Sequence, residues 1–133
     1  MKLNSRGVTL VEIMASMLIF LVSFVATMNL IFSNKNMAKR AEYAYTAYHV
    51  AKNRVETLKS ISFSDLSSSA ETSTAVDGDG TADPDGNFRR TTTITTSYTG
   101  DANLTQAKVE VYYVLKGTQS PNPTEITTVI YNG

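Results

Sequence analysis

The sequence predicts an α+β fold in which one long N-terminal helix packs on a small antiparallel sheet of three to four strands, and three observations carry that prediction. Glycine falls at 7, 78, 80, 86, 100, 117 and 133 and proline at 84, 121 and 123, so residues 8–77 contain no strong backbone breaker. Within that run the apolar residues are first continuous and then one-sided, as a helix requires when it passes from one surrounding to another. From residue 88 onward the apolar period becomes two, the mark of half-buried strands.

Residues 8–32 are 25 in number and carry one ionisable side chain, Glu12. At about 1.5 Å per residue such a helix crosses a hydrocarbon core of about 30 Å, so residues 8–35 are read as membrane-spanning. A cleaved secretory signal is the competing reading, since Lys2 and Arg6 form a basic start. Its apolar stretch would be too long, and no A-x-A site follows. Lys35, Lys39 and Arg40 nearly match the charge before the run, so charge alone leaves the orientation open.

Residues 36–59 form the amphipathic half of the same helix, with Met37, Ala41, Ala44, Tyr48, Ala51, Val55 and Leu58 as the stripe. Lys39, Arg40, Glu42, Lys52, Arg54, Glu56 and Lys59 take the rest of the circumference. Three alanines in seven positions make a thin seam for a coiled coil, so the stripe, with Tyr45 and Tyr48, is expected to pack on a sheet of the same chain. A continuous helix of about fifty residues would reach about 75 Å, so half of it is expected to project.

Residues 60–87 are dense in Ser, Thr, Asp and Gly and read as a loop, with at most an edge strand near 72–76. Phe88, Arg90, Thr92, Ile94, Thr96 and Tyr98 share one face of a first strand. Ala107, Val109, Val111, Tyr113 and Leu115 share one face of a second, and residues 124–131 make a third with Ile126 and Ile130 together. The connections at Gly100-Asp101 and at 117–123 are short, so consecutive strands should run antiparallel. The sheet is thus placed at 88–133 and the head as a whole at 36–133.

Composition narrows the function. Of 133 residues, 12 are Lys or Arg and 12 Asp or Glu, giving no net charge and no bias toward nucleic acid. The halves differ: residues 1–59 hold eight basic and three acidic side chains, residues 60–133 four and nine. Without cysteine, and with His49 as the one histidine, thiolate or zinc sites and the usual nucleophilic dyads have no residues to build them, so an enzyme is not expected. His49 reads as a surface or rim residue.

The first twelve residues are the most specific part. A seven-residue basic leader ends in Ser5-Arg6-Gly7, followed by Val8-Thr9-Leu10-Val11-Glu12 and the apolar run. This resembles the type IV prepilin signature shared by type IV pilins and type II secretion pseudopilins. The resemblance implies the type IV pilin fold, a leader at 1–7, cleavage between Gly7 and Val8 by a prepilin peptidase, N-methylation of Val8, and Glu12 as the fifth mature residue. Gly7 has no Cβ, so a peptidase can approach the scissile bond closely. Glu12 sits about one turn inside the apolar segment, where an unpaired carboxylate costs on the order of 3 kcal/mol at the bilayer centre. In the family this glutamate pairs with the new N-terminal amine of a neighbouring subunit. The chain departs from major pilins in beginning with Val8 rather than Phe, in lacking Gly or Pro in the helix, and in having no C-terminal cysteine pair. These departures, the small head and the segments at 51–66 and 109–113 look more like minor pilins of the pilus-modification type and the I-type minor pseudopilin.

Asp77, Asp79, Asp83 and Asp85 alternate in a Gly-rich loop. Four carboxylates at that spacing suit Ca²⁺, which takes six to eight oxygens in irregular geometry, and a solvated acidic turn explains the same residues. An EF-hand fails, because its glycine position is Ala82 and its closing glutamate position Phe88.

The reading of the sequence is therefore a minor pilin or pseudopilin of a type IV pilus or type II secretion pseudopilus. No cofactor is required, with Ca²⁺ the one candidate. The resemblance names other pilins, the prepilin peptidase, the assembly platform and the inner membrane as partners, with the N-terminus in the cytoplasm and the head outside. The alternative is a membrane-anchored extracytoplasmic domain that binds or adheres through Ca²⁺.

Overall fold

The computed structural model describes residues 8–132. A single helix, α1, runs Leu10–Ser60 over 51 residues. Five strands follow: β1 (Glu71–Val76), β2 (Phe88–Thr96), β3 (Leu104–Leu115), β4 (Thr118–Gln119) and β5 (Thr124–Tyr131). The chain divides into two compact units, Met1–Lys39 and Arg40–Gly133. In the first, every described side chain is exposed. The second holds all of the core.

In the second unit the sheet is antiparallel throughout, in the order β1, β2, β3, β5. The two-residue β4 closes back on the end of β3 at Val114 and Leu115. Register is fixed by the period-2 pattern: Arg90 faces Val111 and Thr92 faces Val109 across β2 and β3, and Val109 faces Ile126 across β3 and β5. The inward residues of β3, Thr105, Ala107, Val109 and Val111, are all buried. A one-residue slip would exchange them for Gln106, Lys108 and Glu110, so burial locks the pairing.

The helical side of the core is Ala47, Val50, Ala51, Val55 and Leu58, with Leu66 tucked beneath from a 3₁₀ turn at Phe63–Ser69. Fully burying a Leu or Val stabilises by about 1.5–3 kcal/mol, so Leu58, Leu66, Val50, Val76, Val109 and Val111 supply the main hydrophobic term. Alanine at 47 and 51 brings the helix backbone close to the sheet. Tyr43 closes one end of the core, its ring 5.8 Å from Phe88 and 6.0 Å from Tyr113.

The helix stripe differs from the sequence expectation in its first half. Ala51, Val55 and Leu58 are buried as expected, whereas Met37, Ala41, Ala44 and Tyr48 face outward and Tyr43, Ala47 and Val50 take their place. The buried arc is centred on the line of Ala47, Ala51 and Leu58, and the Tyr43 ring seats against Phe88 and Tyr113, so the side carrying Tyr43, Ala47 and Val50 meets the sheet rather than the side carrying Ala41 and Tyr48. Tyr45 is 68% and Tyr48 47% exposed, so neither makes the helix-to-sheet packing expected of it. Arg54, expected on the solvated side, is drawn inward by Glu71.

The edge strand expected near 72–76 forms as β1, which pairs with β2 with one bulge between Glu71 and Thr74. Two other boundaries differ. Tyr98 is not in β2; the strand ends at Thr96, and Ser97 and Thr99 adopt positive φ in the turn that follows. The connection at 117–123 contains β4, opened by Gly117 at φ +78°.

Candidate processing and assembly site

The prepilin-like residues lie where α1 begins. Gly7 lies outside the described residues, and Val8 is the first of those described, exposed and ahead of the helix. Thr9 caps the helix. Its carbonyl accepts the first helical bonds, from the Glu12 N–H at 3.0 Å and the Ile13 N–H at 3.2 Å. Its Oγ1 lies 3.3 Å from the Glu12 nitrogen and accepts from the same N–H. A Thr cap with Glu three residues on is the capping-box spacing, which satisfies an orphan donor of the first turn and places an acid at the positive end of the helix dipole. Thr9 and Glu12 together therefore start the helix.

Glu12 sits in the first turn of α1. Among the described residues no cation lies within ion-pair range of its carboxylate. Along the chain the next basic residue is Lys35. Three hydroxyls farther along the apolar run return their protons to the helix: Ser16 Oγ donates to the Glu12 carbonyl at 2.7 Å, Ser23 Oγ to Ile19 at 2.8 Å and Thr27 Oγ1 to Ser23 at 2.8 Å. Each of these protons is thus satisfied without water, which suits a helix in an apolar medium. The helix is long and apolar enough to cross a membrane, and none of the residues of its apolar window is buried among the described residues.

In the acidic loop the four aspartates do different things. Asp77 Oδ1 accepts from the Asp79 N–H at 3.0 Å and the Thr81 N–H at 2.8 Å. Asp83 Oδ1 accepts from the Asp85 N–H at 3.0 Å. These are local turns in which a carboxylate satisfies its own loop backbone. Among the described residues no group of three or more His, Cys, Asp or Glu side chains is placed to hold a metal ion. Asp77, Asp79, Asp83 and Asp85 are brought into one loop but not onto one point.

The most developed polar cluster was not foreseen from the sequence. Glu71, at the start of β1, accepts a two-pronged contact from Arg90, Nε to Oε2 at 2.8 Å and Nη2 to Oε1 at 3.0 Å. Arg54 of α1 reaches the same carboxylate at 3.0 Å. Arg54 Nη2 also donates to the Ser69 carbonyl at 2.8 Å, and Arg90 Nη1 to the Gly80 carbonyl at 2.8 Å. One carboxylate thus ties helix, strand and both flanking loops. Burial pushes the Arg54 guanidinium down from its ordinary value; Glu71 opposes the fall and Arg90 adds to it. The signal was in the alternation: Arg90 shares the inward face of β2 with Phe88 and Thr92, and a buried guanidinium requires a carboxylate. On the outer face Lys108 sits between Glu110 and Glu125, at 3.2 and 3.1 Å, and its hydrogen bonds to Glu125 and then Glu110 raise its pKa. His49 is at the rim as expected, its ring 4.4 Å from Tyr45 and 5.8 Å from Tyr48.

Residues 2–28 match the family description of the prokaryotic N-terminal methylation motif. That match spans Gly7, Val8, Thr9, Glu12 and most of the apolar run, and this similarity supports the prepilin-like reading of the N-terminal segment. No curated protein and no solved structure matches the chain.

Proposed function

We propose that this chain is a minor pilin or pseudopilin: a structural, non-catalytic subunit, cut between Gly7 and Val8 and drawn from the inner membrane into a type IV pilus or type II secretion pseudopilus by lateral packing of α1. The observation that carries the reading is the methylation motif running without a break into a helix whose apolar window has no buried residue among those described. A surface of that size in a capped, otherwise self-satisfied helix suits lipid before assembly and other helices after it. The α+β head, with its helix on an antiparallel sheet, is the expected partner of such a segment.

Glu12 is the residue on which the reading turns. In a plain anchor it is only a cost of up to about 3 kcal/mol, so Glu12→Leu should improve insertion without other effect. In a filament subunit the carboxylate meets the Val8 amine of a neighbour, and losing it leaves that amine unpaired in an apolar bundle. The test measures the ratio of the chain in sheared filaments, or in complexes with partner pilins, to that in the inner membrane for wild type, Glu12→Asp and Glu12→Leu. The expected order is wild type, then Asp, then Leu, with all three cleaved to a mature N-terminus at Val8 by mass spectrometry. Equal ratios, or an intact Met1, would refute the subunit reading and leave a membrane-anchored binding domain.

A further inference from the structure

An open cleft of about 290 Å³ lies in the second unit, between the start of its helix and the hairpin that β3 and β4 form. Arg40 lines it from the helix, Tyr113 and Leu115 from the end of β3, Thr118 and Gln119 from β4, and Pro121 from the loop that follows. The hydrogen bonds made here belong to Ser120, whose Oγ donates to the Asn122 carbonyl at 3.1 Å and accepts from the Tyr113 N–H at 3.3 Å. The side chains of Arg40, Thr118 and Gln119 enter none among the described residues. Arg54, Arg90 and Lys108 each have a carboxylate at 2.8 to 3.2 Å, whereas Arg40 has none in range among the described residues and no acid lines the cleft. A guanidinium, a hydroxyl and an amide are thus left with N–H and O–H groups to donate and no anion to take them, which is the donor set of a phosphate site. Lys116, at the hairpin tip between Leu115 and Thr118, brings a second cation to the same corner.

The place of Arg40 along α1 says which phosphate is at hand. It follows Phe32, the last residue of the apolar run, by eight residues, or about 12 Å of helix. The polar layer of a bilayer extends about 5–8 Å beyond its hydrocarbon on each side. Helical side chains lean toward the N-terminus, here the apolar end, and a guanidinium on its long stem closes the remaining distance. Leu115 and Pro121 add an apolar wall, which a free phosphate does not use and the glycerol of a lipid does.

We infer that this cleft holds the phosphate of an anionic phospholipid from the leaflet on the head's side, with Arg40 as the forked donor, Thr118 and Gln119 as neutral donors and Leu115 and Pro121 against the glycerol. Bound so, the lipid fixes the head on the membrane surface from which its helix rises. The inference rests on α1 as a membrane anchor and is independent of cleavage and of filament entry.

The test uses the full chain, which has no cysteine of its own, with a dye on the single cysteine Asn122→Cys beside the cleft. The chain is reconstituted in phosphatidylcholine vesicles with about 20 mol % phosphatidylglycerol. Trace phosphatidylglycerol or phosphatidylcholine with a spin label high on one acyl chain quenches the dye, and the ratio of the two reads the headgroup preference. At about 0.15 M salt the wild type should prefer phosphatidylglycerol on the order of tenfold. A dye at Thr95→Cys, which pairs with Gln106 toward the other end of the sheet, should show no preference. Arg40→Gln should lower the preference about fivefold, and Arg40→Lys about threefold, since an ammonium keeps the charge but not the planar fork. Thr118→Val/Gln119→Leu, which leaves the charge untouched, should lower it about threefold. Lys39→Gln removes the same charge from a residue outside the lining and should change it by less than about twofold. All these side chains are exposed, and circular dichroism of each variant checks that the head is intact. Equal quenching by both lipids, or a loss in Lys39→Gln as large as in Arg40→Gln, would overturn the site. Loss of the preference when inorganic phosphate replaces chloride at equal ionic strength would show a free-anion site and overturn the lipid. A chain that does not float with the vesicles would refute the anchor and the site together, whereas one that floats without preference would overturn the site alone.

Discussion

Glu71→Gln is the sharpest probe of what holds the head together. The change keeps size and one acceptor oxygen but removes the charge that both Arg54 and Arg90 address, at 2.8 to 3.0 Å. The side chains of Arg54, Arg90 and Glu71 retain only 16%, 8% and 21% of their exposure, so water restores little of the lost interaction. Removing one partner of a fully buried ion pair costs about 3–5 kcal/mol; discounted for the remaining exposure, the expected loss is about 2–4 kcal/mol. For a head of this size that is a fall in Tm of roughly 10–20 °C. The assay is guanidinium and thermal unfolding of a soluble fragment beginning at Asn36, followed by circular dichroism, since every buried residue lies in the unit Arg40–Gly133. Glu56→Gln is the control, because its 3.2 Å pair with Lys59 is solvent-exposed and should contribute less than about 0.5 kcal/mol. In about 1 M salt the Glu56 effect should vanish while the Glu71 effect largely persists. A loss below about 1 kcal/mol for Glu71→Gln, or one abolished by salt, would refute the argument that this carboxylate neutralises two sheltered guanidiniums.

Gly86→Ala should destabilise the head by more than about 2 kcal/mol, because a Cβ there would collide with the Val76 carbonyl; Gly117→Ala, in open space at φ +78°, should cost about 1–2 kcal/mol from backbone strain alone. Paired unfolding curves check both. Tyr43→Ala should cost about 2–4 kcal/mol by removing the ring between Phe88 and Tyr113, whereas Tyr45→Ala, on the exposed side, should stay within about 0.5 kcal/mol. Millimolar Ca²⁺ should leave the Tm of the same fragment unchanged, since Asp77 and Asp83 already serve their own loop; a rise abolished by Asp79→Ala/Asp83→Ala would show instead that the loop closes on the ion.

By itself the sequence determined whatever depends on local order. The unbroken run from residue 8 to 77 makes α1 long, the apolar stretch makes half of it fit for a membrane, and the segment from Gly7 to Glu12 lies within the matched methylation motif. Strict alternation likewise placed β3 and β5, the latter at Thr124–Tyr131 as read from pattern, because a strand's faces are set by a period of two that tertiary contacts cannot alter. The tertiary structure decided which side of the second half of α1 is inside. Apolar and small residues stand on two adjacent lines there, Ala44 and Tyr48 on one and Ala47 and Val50 on the other. Propensity does not choose between them; in the fold Tyr43 packs on the Phe88 and Tyr113 rings and Ala47 and Val50 are buried with it on that side. The same holds for Glu71, which joined Arg54 and Arg90 across 17 and 19 residues of chain. Alternation turns Arg90 inward but does not name its carboxylate, since these partners are brought together only when the strand pairing and the helix docking are both complete.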